Sequence, residues 1–139
     1  MIDKAIAMAL KAHKGQTDKS GRPYILHPLR VAMKFAGCDE LFVAAVLHDV
    51  VEDSPITVKD IEKAFGPKIA DIVDSLTRRE GEMYLTEFIP RCKLNSDALI
   101  IKIADIEDNL DPNRLLALGD TSIAFVNRYL QALKILREY

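Results

Sequence analysis

Apolar residues recur along most of this chain at steps of three and four positions, which is the spacing of an amphipathic α-helix. Glycine and proline interrupt the pattern often enough to divide it into separate helices. The predicted helices cover residues 2–13, 28–37, 40–51, 57–66, 67–76, 86–94, 97–110, 112–118 and 122–137. No segment alternates as a strand does, so we predict one all-α domain over residues 1–139.

Local signals set several of the helix boundaries. The expected signals are proline at a first helical position (Pro28, Pro67), glycine after a last one (Gly37, Gly66) and a hydroxyl side chain at an N-cap (Thr57, Ser96). Asp60 completes a capping-box pattern with Thr57. Pro90 is expected to kink or break its helix, and residues 119–121 are expected to introduce the last helix.

The composition is ordinary for a globular protein. The 139 residues are 49% hydrophobic and 29% charged, with a formal net charge of −2. That balance argues against a nucleic-acid or membrane-surface binder, which would usually be basic. The chain has no apolar run as long as a membrane span and no signal-peptide pattern, so we expect a cytoplasmic protein. Cys38 and Cys92 show no metal or redox spacing and are expected to be reduced thiols.

Four titratable side chains stand out in the apolar stretch AAVLHDVVED. The predicted helix over residues 40–51 is apolar on most of its surface and should be buried. It nevertheless contains His48 and Asp49, and Glu52 and Asp53 follow within one turn. Buried charges are normally paired or bound to a metal. The stretch therefore predicts partners elsewhere in the chain.

His27 and Asp105 are the candidates to complete a metal site with His48 and Asp49. His27 lies at an expected loop-to-helix junction, and Asp105 lies in an apolar run where a core residue would be expected. Two imidazoles and two carboxylates without a thiol favour Mn²⁺, Fe²⁺ or catalytic Zn²⁺ over structural zinc. The alternative is that each is a satisfied core residue, with Lys102 as the nearest basic neighbour of Asp105.

Glu52 and Asp53 follow Asp49 by three and four residues, so they lie on its side of the helix or just beyond the helix end. Carboxylates in that position can orient an attacking water molecule or take its proton. Solvated charges at a helix end are the alternative interpretation. Asn109 lies four residues after Asp105 on the same helix face, so it could reach the same pocket.

The segments HPLRVA, LHDVVED and KIADIEDN together resemble the HD-domain metal-dependent phosphohydrolases, specifically the hydrolase domain of the RelA/SpoT family and its stand-alone small alarmone hydrolases. The resemblance runs from about Ala9 to Asn109. It implies a single HD-domain helical bundle, usually with Mn²⁺, that hydrolyses the 3′-pyrophosphate of guanosine tetra- or pentaphosphate. Matched residue by residue, it assigns the metal to His27, His48, Asp49 and Asp105, water activation to Glu52 and Asp53, and nucleotide contacts to Lys19, Ser20 and Asn109.

The chain departs from that family pattern at four positions. Where the family's loop has an arginine that stacks on guanine, this chain has Asp18, which offers no planar cation. In and just after KIADIEDN, Ile106 and Asp111 stand in place of arginines and Asp108 stands in place of a histidine. We therefore expect a pocket poorer in positive charge, which disfavours a highly phosphorylated substrate unless other cations compensate.

Other basic residues lie between the HD segment and Asp105. Arg78, Arg79 and Arg91 are the candidates to bind phosphate, because arginine suits bidentate phosphate contacts. Solvated surface charges are the alternative. Arg114 follows the end of the Asp105 helix and is a further candidate to restore positive charge there.

Three functional hypotheses follow. The preferred one is a Mn²⁺-dependent phosphohydrolase of a phosphorylated nucleotide, with guanosine 3′,5′-bis(diphosphate) as the leading substrate by resemblance. One alternative keeps the metal centre and acts on another nucleotide or on NADPH. The other is a non-catalytic sensor that binds a nucleotide without turnover. No nucleic-acid or membrane partner is expected, and the sequence leaves the oligomeric state open.

Overall fold

The computed structural model describes residues 1–116 and 122–138, and the regular structure throughout that part is helical, as predicted. The elements are α1 (Ile2–Ala12), α2 (Leu26–Met33), α3 (Asp39–Val46), α4 (Val50–Asp53), α5 (Val58–Phe65), α6 (Pro67–Leu76), a π-helical turn (Tyr84–Phe88), α7 (Ile89–Lys93), α8 (Ser96–Asn109), α9 (Pro112–Leu115) and α10 (Ser122–Arg137). These residues form no β-strand, and one isolated bridge pairs Thr17 with Pro23 in the loop after α1. Among them we find no helix with the length and apolar character needed to cross a bilayer.

α3 lies at the centre of the larger of two hydrophobic clusters. Residues 43–47 have no solvent exposure at all. Helices α1, α2, α6 and α8 pack around α3 and contribute Ala5, Val31, Ile72 and Ile101 to the same cluster. A helix that is covered on every side can be apolar on every side. This explains the unbroken apolar run that precedes the HD dipeptide.

α8 joins the two clusters. Ala98 packs in the larger cluster, whereas Ile106 packs in the second with Phe88 of the π-helical turn and Leu133 of α10. The last helix, α10, packs on this second cluster. α8 therefore holds Asp105 between two packed regions.

The third predicted helix, over residues 40–51, is wrong as a single element because it divides into α3 and α4. In a continuous helix the Ala45 carbonyl would accept the backbone amide of Asp49. Instead Nδ1 of His48 donates to that carbonyl at 2.6 Å, and the backbone amide of His48 reaches it at 3.3 Å. The chain passes through a tight turn at this point, so His48 and Asp49 do not share one continuous helix.

Cap residues explain several of the other boundaries. The predicted capping box is confirmed, since the Asp60 amide donates to Thr57 Oγ1 at 3.2 Å and the Thr57 amide donates to Asp60 Oδ2 at 2.9 Å. Gly66 ends α5 with a φ of 94°. The predicted cap at Ser96 is wrong, because the Asn95 side chain accepts two amides in the first turn of α8. The helix begins one residue earlier than predicted, so Ser96 is its first residue.

α2 also begins earlier than predicted. It starts at Leu26, so Pro28 is its third residue and His27 lies on its first turn. Proline is tolerated there because the first amides of a helix have no intrahelical acceptor. The segment predicted to introduce the last helix, together with the end of the turn predicted over 112–118, falls in residues 117–121 and lies outside the described residues.

One arginine holds the charged connection that follows α6. Arg91 donates from Nε and Nη2 to the two carboxylate oxygens of Glu82 at 2.8 and 2.9 Å, and Nη2 also reaches the Thr77 carbonyl at 2.7 Å. These bonds with Arg91 lower the pKa of Glu82 to about 2. The Arg91 side chain is 20% exposed. Arg79 is 60% exposed, and its guanidinium contacts Asp74 at 3.4 Å.

We expect Arg91→Met to lower the free energy of unfolding by about 1.5 kcal/mol, because several acceptors lose charge-assisted donors. Arg79→Met is the matched control and should change it by less than about 0.5 kcal/mol. Denaturant titration at pH 7 measures both. The pKa of Glu82 is lowered to about 2 in the folded protein. The Glu82–Arg91 ion pair therefore stabilises the fold above the unfolded-state pKa of about 4.3, and this stabilisation is lost as the pH falls from there toward 2. Equal effects of the two variants would contradict this assignment.

Candidate metal centre and adjoining cleft

The four predicted ligands converge although they come from separate parts of the chain. One donor atom from each of His27, His48, Asp49 and Asp105 lies within 4.8 Å of all the others. Nε2 of His27 is 2.7 Å from Asp105 Oδ1 and 3.8 Å from Asp49 Oδ2. Nε2 of His48 is 3.0 Å from Asp49 Oδ2 and 3.3 Å from Asp105 Oδ1. A cation with bonds of about 2.1 Å has room to contact all four.

Each ligand is positioned by a distinct local feature. His27 extends from the first turn of α2, and Asp105 extends from α8. The turn between α3 and α4 presents His48 and Asp49 to the same cluster. His27, His48 and Asp105 are 2%, 1% and 4% exposed, so the cluster lies in the interior of the protein. The break in the predicted third helix is therefore part of the site.

Outer hydrogen bonds orient both imidazoles. Nδ1 of His48 donates to the Ala45 carbonyl at 2.6 Å, and Nδ1 of His27 donates to Asp108 Oδ2 at 2.6 Å. A proton held on Nδ1 leaves the Nε2 lone pair free to bind a metal. Both Nε2 atoms face the two carboxylates. This set of donors fits a divalent cation.

Lys102 is a buried partner of the cluster whose role the sequence did not reveal. Its Nζ lies 2.9 Å from Asp105 Oδ2, and the residue is 8% exposed. Burial opposes ionisation of Asp105, but Lys102 and His48 hold its pKa well below the ordinary value. Burial also opposes the charge of Lys102, whereas Asp105 raises the Lys102 pKa. Asp105 thus presents Oδ1 to the cluster and Oδ2 to the lysine.

Tyr24 supports the remaining carboxylate ligand. Its hydroxyl donates to Asp49 Oδ2 at 2.5 Å. Its ring packs between the rings of His13 and His27, with centroid distances of 4.9 and 5.8 Å. Tyr24 was not among the predicted site residues, because a tyrosine in a loop rich in glycine and proline carries no periodic signal.

The two carboxylates predicted to activate water occupy different positions. Glu52 lines the cavity that is also lined by His27, Asp49 and Asp105, whereas the residues that line this cavity do not include Asp53. The backbone amide of Arg78 donates to Glu52 Oε1, which fixes the carboxylate. Partial burial raises the pKa of Glu52. Partial burial and the charge of Asp49 raise the pKa of Asp53 to about 6.

Two adjoining cavities form a cleft at the site. The inner cavity, of about 220 Å³, is lined by Tyr24, His27, Asp49, Glu52, Arg78, Tyr84, Phe88, Lys102, Asp105, Asn109, Arg128 and Tyr129. The outer cavity, of about 260 Å³, is lined by Thr17, Asp18, Lys19, Ser20, Tyr24, Asn109, Arg114, Phe125, Arg128 and Tyr129. Lys19, Ser20 and Asn109, which the family resemblance assigned to the nucleotide, thus lie together in the outer cavity.

α10 supplies the lining residues that sequence reasoning missed. Phe125, Arg128 and Tyr129 lie on one face of this helix and close the outer cavity. Tyr129 and Phe125 pack edge to face with ring centroids 4.5 Å apart. In the sequence the two aromatic residues fit an apolar helix face, and that spacing is the same for a core helix as for a helix that closes a cleft.

Two carboxylates that depart from the family pattern serve local structure. Asp18 Oδ1 accepts the amide and hydroxyl of Ser20 at 2.9 and 2.7 Å and the amide of Arg22 at 3.0 Å. Asp111 caps α9 by accepting the amide of Asn113 at 2.8 Å. Neither side chain is an unpaired negative charge that faces the cleft.

The other two departures lie on α8. Asp108 accepts hydrogen bonds from His27, from Arg30 Nε at 2.9 Å and from Arg114 Nη1 at 2.9 Å. Burial opposes its ionisation, but these partners hold its pKa below the ordinary value. Ile106 is fully buried in the second hydrophobic cluster. The carboxylate introduced at position 108 is thus neutralised by two guanidinium groups and does not add an unpaired negative charge.

The arginines predicted to bind phosphate separate in the structure. Arg78 lines the inner cavity, whereas Arg79 and Arg91 are absent from the lining of both cavities. Arg91 has its donors on Glu82 and on the backbone carbonyls of Asp74 and Thr77. Arg128 was not predicted, yet it lines both cavities and stacks on the Tyr84 ring at 4.6 Å.

Comparison with known protein families gives a match over more than half of the chain. A family model described as the HD domain matches residues 5–91. That match includes His27, His48 and Asp49, whereas Asp105 and the whole of α10 lie beyond it.

The similar curated proteins are much longer than this chain. The bifunctional (p)ppGpp synthase/hydrolase SpoT of Escherichia coli K12 is 44% identical over 80 residues, which are 55% of this chain and 11% of that protein. A guanosine-3′,5′-bis(diphosphate) 3′-pyrophosphohydrolase of Aquifex aeolicus is 34% identical over 119 residues, which are 78% of this chain and 17% of that protein. The chain therefore spans less than a fifth of the length of either relative.

A solved structure matches nearly the whole chain. It is a metazoan orthologue of SpoT, described as hydrolysing ppGpp and playing a role in starvation responses. The two are 25% identical, the TM-score is 0.84, and the match covers 98% of this chain and 85% of that one. The likeness therefore extends to the parts of the cleft that the family model does not reach.

Asp49→Ala should abolish measurable Mn²⁺ binding, because it removes a negatively charged ligand from the buried cluster. Asp53→Ala is the matched control, since it removes a carboxylate of the same segment that lies outside the cluster, and it should retain binding. Isothermal titration calorimetry on both variants measures the effect. Wild-type affinity in Asp49→Ala would show that this ligand assignment is wrong.

Asp108→Asn should weaken Mn²⁺ binding by about 10- to 100-fold, because an uncharged amide orients the His27 imidazole less strongly. Asp111→Asn removes a nearby carboxylate that caps α9 and does not contact a ligand in the described structure, so it should leave the affinity unchanged. A competition titration against a metal indicator distinguishes the two. If both variants bound Mn²⁺ equally well, the hydrogen bond to His27 would have no orienting role.

Proposed function

Because this chain belongs to the HD-domain family, we propose that it is a metal-dependent phosphohydrolase that removes the 3′-pyrophosphate from guanosine 3′,5′-bis(diphosphate). The observation that carries the proposal is the position of Glu52, which lines the same inner cavity as three members of the metal cluster. The Aquifex relative is named for the hydrolysis of this nucleotide, and the matched metazoan protein is described as hydrolysing it. The balanced reaction is guanosine 3′,5′-bis(diphosphate) plus water giving guanosine diphosphate and pyrophosphate.

We propose Mn²⁺ as the resident ion, held by the predicted ligands His27, His48, Asp49 and Asp105. A set of nitrogen and oxygen donors without thiolate suits Mn²⁺ or Fe²⁺, and Zn²⁺ is compatible with it. When bound, the ion supplies Lewis-acid polarisation of a phosphoryl oxygen and increases the acidity of water. Lys102 keeps Asp105 ionised and oriented for this role.

Glu52 is the proposed general base. The Arg78 amide fixes one carboxylate oxygen, and the other, which makes no hydrogen bond within the described residues, is proposed to accept a proton from the attacking water. Its raised pKa makes it a better match for proton transfer near neutral pH than an ordinary glutamate. Asp53, which does not line the inner cavity, is proposed to assist Glu52 in activating the water.

The cations of the inner cavity are proposed to hold the pyrophosphate that leaves. Arg78 and Arg128 both line this cavity, and both guanidinium groups stack on the Tyr84 ring, at 5.5 and 4.6 Å. Arginine binds phosphate through paired donors. Arg79 and Arg91 are left out of this part of the proposal, because they line neither cavity.

The outer cavity is proposed to hold the guanosine and its 5′-phosphates. Its lining combines aromatic side chains, the cation Lys19 and the polar groups of Ser20 and Asn109. Pockets for small molecules typically combine apolar walls with a few placed polar groups. Aromatic side chains also provide stacking surfaces for a nucleobase. Phe125 and Tyr129 supply such surfaces here, whereas Asp18 does not.

A second substrate remains a candidate because of Asp18. Asp18 Oδ1 accepts hydrogen bonds within its own turn and Oδ2 faces Arg114 at 3.8 Å, so position 18 presents no planar cation to a guanine base. The same metal centre could instead release phosphate from another nucleotide or from NADPH. The third possibility, a sensor without turnover, is disfavoured by the position of Glu52 in the inner cavity.

Mn²⁺-loaded protein should release pyrophosphate and guanosine diphosphate from guanosine 3′,5′-bis(diphosphate). Glu52→Gln should lower kcat by about 10²- to 10⁴-fold, because a neutral amide cannot accept the proton of the attacking water. Glu107→Gln is the control, since this exposed glutamate pairs with Arg137 away from the cleft. Product chromatography on a panel that includes NADPH and common nucleotides provides the measurement.

The panel also separates the alternatives. Release of orthophosphate from NADPH or another nucleotide, with no turnover of the alarmone, would keep the metal chemistry and replace the substrate. Binding of a nucleotide without hydrolysis of any compound would support the sensor. Full activity of Glu52→Gln would show that another group takes the proton.

A further inference from the structure

Arg114 lies between the loop after α1 and the outer partners of the metal ligands. Its Nη1 donates to Asp108 Oδ2 at 2.9 Å and to Asn109 Oδ1 at 2.8 Å, and its Nη2 lies 3.8 Å from Asp18 Oδ2. Asp108 in turn accepts the Nδ1 proton of His27. One guanidinium group therefore contacts both the loop and the carboxylate that orients a ligand.

The two oxygens of Asp18 have separate partners. Oδ1 accepts three hydrogen bonds within its own turn, two from Ser20 and one from Arg22. Oδ2 faces Arg114. An asparagine at this position can keep the turn through its own Oδ1, while the negative charge that faces Arg114 is lost. Asp18→Asn is thus a conservative variant that removes the charge facing Arg114 and keeps the turn.

Arg30 provides an internal comparison. It donates from Nε to Asp108 Oδ1 at 2.9 Å and from Nη2 to Oδ2 at 3.2 Å. It therefore binds the same carboxylate as Arg114. It extends from α2, and within the described residues it makes no hydrogen bond or ion pair with Asp18. Of these two arginines, the one at 114 spans the distance from the α8 carboxylate to the loop.

We propose that Arg114 is a positioning residue that links the Lys19–Ser20 turn to the metal centre, so that the turn and the ligand His27 are held as one unit. The link runs from Asp18 through Arg114 to Asp108. Asp18 and Asp108, two of the three carboxylates that depart from the family pattern, thereby share one arginine, since buried charges require partners. This inference rests on the proposed metal site and does not depend on the identity of the substrate.

Two double-mutant cycles with Mn²⁺ alone test the link. Asp18→Asn should weaken Mn²⁺ binding by about five-fold in the wild-type background, the lower end of a typical coupling between sites. The same substitution should have the same effect in Arg30→Met and little or none in Arg114→Met. Isothermal titration calorimetry supplies all six dissociation constants, and thermal unfolding confirms that each variant is folded.

A metal-free measurement tests the same link separately. The amides of Ser20 and Arg22 donate to Asp18 in the turn. Hydrogen exchange at these amides should accelerate by about five-fold in Arg114→Met and remain at the wild-type rate in Arg30→Met.

The outcomes separate the two proposals. An equal effect of Asp18→Asn in the Arg114→Met and Arg30→Met backgrounds, or equal exchange rates in these two variants, would overturn the positioning role. If the wild-type protein binds no Mn²⁺, the proposed metal function fails. The exchange experiment then decides by itself whether Arg114 holds the turn.

Discussion

The buried cluster of two imidazoles and two carboxylates is the constraint on which the surrounding structure depends. Its donor atoms lie within 4.8 Å of one another, and charges in such a place are costly unless each has a partner. The protein supplies those partners from several elements: the Ala45 carbonyl, Asp108, Lys102 and Tyr24. Each partner also fixes an orientation. The helices are therefore packed so that four ligands face one point.

The same requirement explains the charged groups in and around the cleft. Carboxylates at positions 18 and 108 would oppose a phosphorylated substrate if they were unpaired. In the structure Asp18 accepts hydrogen bonds within its own turn, and Asp108 is neutralised by Arg30 and Arg114. Positive charge for phosphates remains available from Lys19, Arg78 and Arg128. Departures from a family pattern thus have to be judged as a set, because a change in one charged residue alters the partners that its neighbours need.

Sequence reasoning succeeded where the signal was local. The capping box at Thr57 depends on two side chains three residues apart, and the predicted helical fold depends on a repeated spacing. It failed where a side chain competed with the backbone. The His48 ring takes the carbonyl that would have continued α3, and no pattern of apolar residues records that competition. The cap of α8 was also mispredicted. Asparagine and serine are both good N-cap residues, and only the structure shows that Asn95 rather than Ser96 is the cap.

The sequence by itself determined the helical fold and the four residues that meet in the buried cluster, because a charge in an apolar segment needs a partner wherever the chain runs. Only the tertiary structure decided which cations serve the cleft. Arg91 and Arg128 both lie near aromatic residues, yet Arg91 pairs with Glu82 whereas Arg128 lines both cavities. That difference arises from the packing of α10 and α7 against α8, over distances that no local pattern of residues encodes.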